Sequence, residues 1–94
     1  MHILTKLAVK VHPVLLDAAR NHFFCSGVEI AAFKLPLWMY QKLRCEPGFR
    51  DVGTGQIWGW YLGYKVIASA DPVPKMYEKG CCVEYEVFQE VIEN

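Results

Sequence analysis

Polar and apolar residues alternate at the start of the chain. Over residues 3–11, Leu7, Val9 and Val11 interleave with Lys6, Ala8 and Lys10, a period of two that predicts a half-buried strand. His12-Pro13 closes it, and proline suits the first turn of a helix, where its missing N–H is not needed. From residue 13 to 24 the period lengthens. Leu15, Leu16, Ala19 and Phe23 recur at helical spacing, with Asp17, Arg20 and Asn21 as the wet side. Gly27 stands where a left-handed C-terminal cap ends such a helix. Residues 28–33 read as a second strand. Pro36 opens a short helix to about Leu43, with Met39 and Leu43 on one side and Leu37 and Tyr40 on another. Glu46-Pro47-Gly48 breaks it, and residues 51–55 form a loop rich in turn residues.

Residues 56–62 then read as a strand in which tryptophan and tyrosine crowd both faces. Side chains alternate across a strand, so Trp58, Trp60 and Leu62 face one way, Ile57 and Tyr61 the other. Gly63 marks a tight turn into a strand over residues 65–69, and Gly59 is a candidate bulge. The prolines of Ala70-Asp71-Pro72-Val73-Pro74 exclude that stretch from the interior of a sheet. A last strand is expected near 81–88, with Val83, Tyr85 and Val87 alternating with Cys82, Glu84 and Glu86. Phe88, Val91 and Ile92 extend it or turn a final helical corner.

This order predicts a single α+β domain over residues 1–94: a mainly antiparallel sheet of four or five strands with two short helices on one face. The two helices can cover one face of such a sheet and not both. Its second face must stay wet or be buried by another molecule.

Composition sharpens that point. Apolar residues make up 53% of the 94 residues and aromatics 14%, a high share for a domain whose surface-to-volume ratio leaves a thin margin of stability. Self-association or a protein partner accounts for the excess, and Trp58, Trp60, Tyr61 and Tyr64 are its candidate interface residues. The formal charge is zero but unevenly spread. Residues 1–70 carry eight Lys/Arg against four Asp/Glu, and residues 71–94 carry two against six. A dedicated nucleic-acid binder shows a basic patch or stripe, which makes nucleic acid the weaker expectation. Stacking of bases on the aromatic strand would draw its charge from Lys42, Arg44 and Arg50. The N-terminal residues lack the long apolar core of a signal peptide, and no run is long enough to span a membrane. Both place the protein in the cytosol, with Cys25, Cys45, Cys81 and Cys82 reduced.

Chemistry-bearing residues are sparse. The cysteine spacings are irregular and the vicinal Cys81-Cys82 pair would point to opposite faces of a strand, so no zinc site is expected and no cofactor. His22 and Cys25 are three apart and share a helix face, the one arrangement from which a small Cys/His enzyme could be built. A helix C-terminus is the wrong end to activate a thiol, and no nearby acid orients the imidazole. No catalytic residues are assigned, and the protein is expected not to be an enzyme.

Tyr61-Leu62-Gly63-Tyr64-Lys65-Val66-Ile67-Ala68-Ser69-Ala70-Asp71-Pro72-Val73-Pro74 resembles a pattern in tailed-phage proteins, where a strand, a glycine, a short apolar strand, a Ser/Asp and a proline occur together. It looks like a segment of major capsid proteins and of many small phage and prophage accessory proteins. The resemblance implies a small phage or prophage accessory protein. Taken with the aromatic strand, the expectation is a non-enzymatic interaction protein of the host cytosol that works through protein contacts, as a homo-oligomer or as an inhibitor of a host protein.

Overall fold

The computed structural model describes residues 10–52, 57–80 and 83–87. It has two helices and six strands in these residues: α1 (Val11–Ser26), β1 (Ile30–Pro36), α2 (Leu37–Arg44), β2 (Phe49–Asp51), β3 (Trp58–Tyr61), β4 (Tyr64–Ser69), β5 (Lys75–Glu78) and β6 (Glu84–Glu86). The class is α+β.

Helix α1 starts at Val11, two residues before the expected boundary, with His12 and Pro13 inside its first turn. Val11, Leu15 and Ala19 lie four apart along it and are its buried stripe. Phe23, expected on that stripe, is half exposed, and Phe24 is 90% exposed. Gly27 adopts φ +76° and its N–H donates to the Phe23 carbonyl at 2.7 Å, closing the helix as the sequence predicted. The expected strand over residues 3–11 falls on residues outside those described, apart from Lys10 and the helical Val11.

The strands form one sheet in the order β2-β3-β4-β1-β5-β6. Ladders β2–β3, β3–β4, β1–β5 and β5–β6 are antiparallel, and β1–β4 is parallel. The chain leaves β1 through α2, builds β2, β3 and β4, and so returns parallel to β1. Residues 70–74 then carry it past the end of β1 to the other side, where β5 pairs antiparallel. The Asp71 carboxylate accepts the Val73 N–H at 2.9 Å. This Asx turn and the two prolines stiffen the crossing; the Pro74 carbonyl accepts the Val87 N–H at 3.1 Å, and the missing proline N–H costs the sheet no ladder donor there.

Both helices lie on one face. Phe33 and Leu35 of β1, Tyr61 of β3, Val66 and Ala68 of β4 and Met76 of β5 point toward α1 and α2, which contribute Val11, Leu15, Ala19, Met39, Tyr40 and Leu43 to the same core. In α2 the buried residues are Met39, Tyr40 and Leu43, and Leu37 is exposed. Phe49 meets Tyr40 edge-on at 5.4 Å and fixes β2 under α2.

Two expectations are corrected. The sheet has six strands among the described residues, not four or five, because β2 and β5 were not anticipated. Gly59 is no bulge: the β3–β4 register runs unbroken from Trp58↔Ile67 to Tyr61↔Tyr64, and the irregularity lies in β1 between Ile30 and Ala32. Ile57 has the same parity as Tyr61, and its carbonyl accepts the Ala68 N–H at 2.9 Å, but at the sheet's margin before β3 it is 61% exposed whereas Tyr61 is buried. The final strand is seen as β6; residues 81, 82 and 88–94 lie outside the described set.

Candidate interaction face

The face that the helices leave uncovered is read directly from register. Arg50 of β2 stands opposite Trp60 of β3, Trp60 opposite Lys65 of β4, Lys65 opposite Ala32 of β1, Ala32 opposite Tyr77 of β5, and Tyr77 opposite Glu84 of β6. These six positions cross the whole sheet in one row. A second row runs Trp58, Ile67, Lys34, Lys75, Glu86. Side-chain alternation puts both rows on the side away from the core.

Trp60 is 43% exposed. Its ring meets that of Trp58 edge-on at 6.0 Å, and Lys65 Nζ lies 4.6 Å from the Trp58 ring centroid, a cation–π contact. The indoles are therefore ordered against each other and against a lysine, and they present a preformed apolar surface to solvent. Among the described residues Arg50, exposed beside Trp60, makes no ion pair.

The other end of the face is acidic and internally bonded. Glu84 accepts hydrogen bonds from Tyr77 Oη and from Lys75 Nζ (3.4 Å), and Lys34 Nζ is 3.8 Å away. Lys75 also donates to Asp71 at 3.2 Å. The Tyr77 hydroxyl first, then Lys75 and Lys34, hold the Glu84 carboxyl below the usual carboxylate range. The Val73 N–H first, then Lys75, do the same for Asp71. Lys75 is raised in turn, chiefly by Asp71.

The expected interface set divides. Trp58 and Trp60 lie on the open face. Tyr61 and Tyr64 do not: they are cross-strand partners on the helix side, Tyr61 is 5% exposed, and Tyr64 packs edge-on against Phe33 at 5.2 Å. Burial pushes the Tyr61 phenol up, with the Glu46 carboxylate adding to it. Even spacing from Val66 and Ala68 puts Tyr64 with the core. Lys65, Tyr77 and Arg50 take their place, and cross-strand register, not chain proximity, brings them together. The basic set divides as well. Arg44 is paired with Asp51 at 3.0 Å, and Lys42 sits in the last turn of α2, on the helix side. Of the three, only Arg50 reaches the open face.

His22 has an acid partner that the sequence did not reveal. Its Nε2 lies 2.7 Å from Glu78 Oε2, 56 residues away, both side chains are largely buried, and the ring meets that of Tyr85 at a tilt, with centroids 4.6 Å apart. The pair ties α1 to β5 and β6. Cys25 is exposed in the last turn of α1, and no hydrogen bond joins it to His22 among the described residues. A cleft between α1, the start of β1 and the β3–β4 turn is lined by Leu16, Phe23 and Tyr64, with Arg20 and Glu29 as its charged groups. Among the described residues no three His, Cys, Asp or Glu side chains gather as a metal site, and no helix is long and apolar enough to cross a membrane.

Compared with known proteins, the chain matches no family model, no curated protein and no solved structure.

Proposed function

We propose that the protein is a non-enzymatic interaction module and that the open sheet face carrying Trp58 and Trp60 is its contact surface for a protein. One observation carries the reading: an ordered pair of indoles, Trp60 exposed and Trp58 partly buried beside it, stands on the face opposite both helices. Tryptophan at the centre of a buried patch is the commonest anchor of protein interfaces, and each buried aromatic removes about 150–250 Å² from water. The phage-like stretch over residues 61–74 supports placing the protein among phage or prophage accessory or inhibitor proteins of the host cytosol.

Photo-cross-linking tests the reading. A p-benzoylphenylalanine is placed at position 60 or, as a control on the helix side, at Leu37, in protein mixed with total protein and RNA of the producing cell. Protein adducts from position 60 and none from position 37 are expected. Nucleic-acid adducts, or none from position 60, overturn it.

The row Arg50–Trp60–Lys65 favours a second reading. Cations on both sides of an exposed indole are the arrangement that single-stranded nucleic acid uses, through base stacking and phosphate contact. Quenching of tryptophan fluorescence by oligo(dT), relieved by salt, would support it.

A further inference from the structure

We infer that the occupant of the open face is a second copy of this chain, related by a two-fold axis that runs along the strands between β4 and β1. The inference rests on the protein-contact reading above and names its partner. It comes from the order of charges and rings across the sheet. Closed homodimers are two-fold symmetric, so each patch must complement itself. Two sheets packed face to face lie about 10 Å apart with their strands roughly aligned, and the axis can run along the strands or across them.

The two choices differ sharply in charge. An axis across the strands sets β2 over β2 and β6 over β6. Arg50 and Lys65 then face their own kind, as do Glu84 and Glu86. An axis along the strands reverses the strand order of the second copy and sets β2 over β6. Along the first row, Arg50 then faces Glu84 of the second copy, Trp60 faces Tyr77 and Lys65 faces the small Ala32. Along the second row, Trp58 faces Lys75. The basic end of each face meets the acidic end of the other, ring meets ring, and cation meets indole. Symmetry repeats every one of these contacts. Arg50 has no ion pair within the described chain, and the Glu84 side chain remains 43% exposed despite its internal bonds, so both have capacity to spare. The face is narrow, six strands at a spacing of about 4.8 Å, and the dimer is expected to dissociate on dilution and to weaken with salt.

Sedimentation velocity on the full chain, from micromolar to sub-millimolar concentration, tests this with a charge swap. The wild type is expected to dimerise. Arg50→Glu alone sets carboxylate against carboxylate and Glu84→Arg alone sets guanidinium against guanidinium, so each is expected to be monomeric. Their mixture is expected to recover the dimer, because the mixed pair restores both contacts. If Glu84→Arg disturbs β6, disulfide trapping replaces it. Arg50→Cys mixed with Glu84→Cys is expected to form a covalent heterodimer on oxidation. Arg50→Cys alone should form no more dimer than the wild type, whose exposed Cys25 and Cys45 set the baseline. A wild type that stays monomeric throughout, or a dimer that neither charge variant alters, overturns the inference. If the wild type is monomeric yet position 60 still cross-links to another protein, the second copy is excluded and the contact face stands. If oligo(dT) binds and Trp60→Ala abolishes the binding, nucleic acid is the occupant and both readings fall.

Discussion

The Phe49 ring lies against Gly59 so closely that a methyl group added to the glycine would come within 2.7 Å of the ring and 2.5 Å of the Arg50 carbonyl oxygen. The ring can retreat; the carbonyl belongs to the β2–β3 ladder and cannot do so without breaking it. Gly59→Ala is therefore expected to destabilise the fold by about 1–3 kcal/mol, the usual cost of overpacking. Urea unfolding followed by tryptophan fluorescence measures it, and an unchanged midpoint would refute the close approach.

The β3–β4 turn offers the opposite opportunity. Leu62 and Gly63 both have positive φ, +50° and +90°, between the paired Tyr61 and Tyr64. Such two-residue turns favour Asn-Gly, and Leu62 is the single described non-glycine residue at positive φ. Its side chain is mostly exposed, so little burial is lost on replacement. Leu62→Asn is expected to raise stability by about 0.5–1 kcal/mol, in line with other relief of backbone mismatch. A lowered thermal midpoint would contradict this.

Acid should loosen the β5–β6 end first. The Glu84 and Asp71 carboxyls are both held below their ordinary range. Their contribution is thus complete above the unfolded carboxylate range near pH 4 and is lost as pH falls through the lower folded values. The slope of unfolding midpoint against pH between neutrality and strong acid is expected to flatten in Glu84→Gln. An identical slope in variant and wild type would show that Glu84 does not carry it.

His22→Ala is expected to cost about 1–3 kcal/mol, because it leaves the largely buried Glu78 carboxylate without its partner. His22→Gln, which keeps a donor, should recover part of the loss. Equal stability of both variants and the wild type by urea unfolding would remove the pair from the structural account.

Local signals read correctly along the chain. The Gly27 cap, the short α2 helix after Pro36, the Gly63 turn and the proline-rich exit at 70–74 each depend on a few adjacent residues, and each is where it was expected. Strands β2 and β5 leave little signal in the sequence because they are three and four residues long and mostly polar. Lys75-Met76-Tyr77-Glu78 turns only Met76 fully inward, too little alternation to register. The alternation of Trp58, Trp60 and Tyr61 was legible, but not which parity the helices would cover. Tyr64 falls on the covered side for that reason. The flanking of Trp60 by Arg50 and Lys65 has no trace in the linear order, because it is made by two ladders meeting at one strand.

The parallel pairing of β1 with β4 carries a cost in time. During synthesis β1 emerges with α1 and α2 but without either of its neighbours, for β4 follows about thirty residues later and β5 later still. The hairpin β3–β4 can close on its own as soon as its turn is made; β1 cannot, and one of its edges stays open to any other nascent strand until β4 has emerged, the other until the chain has passed residue 78. A ribosome that stalls between β1 and β5 would thus release a fragment whose most buried strand is also its stickiest.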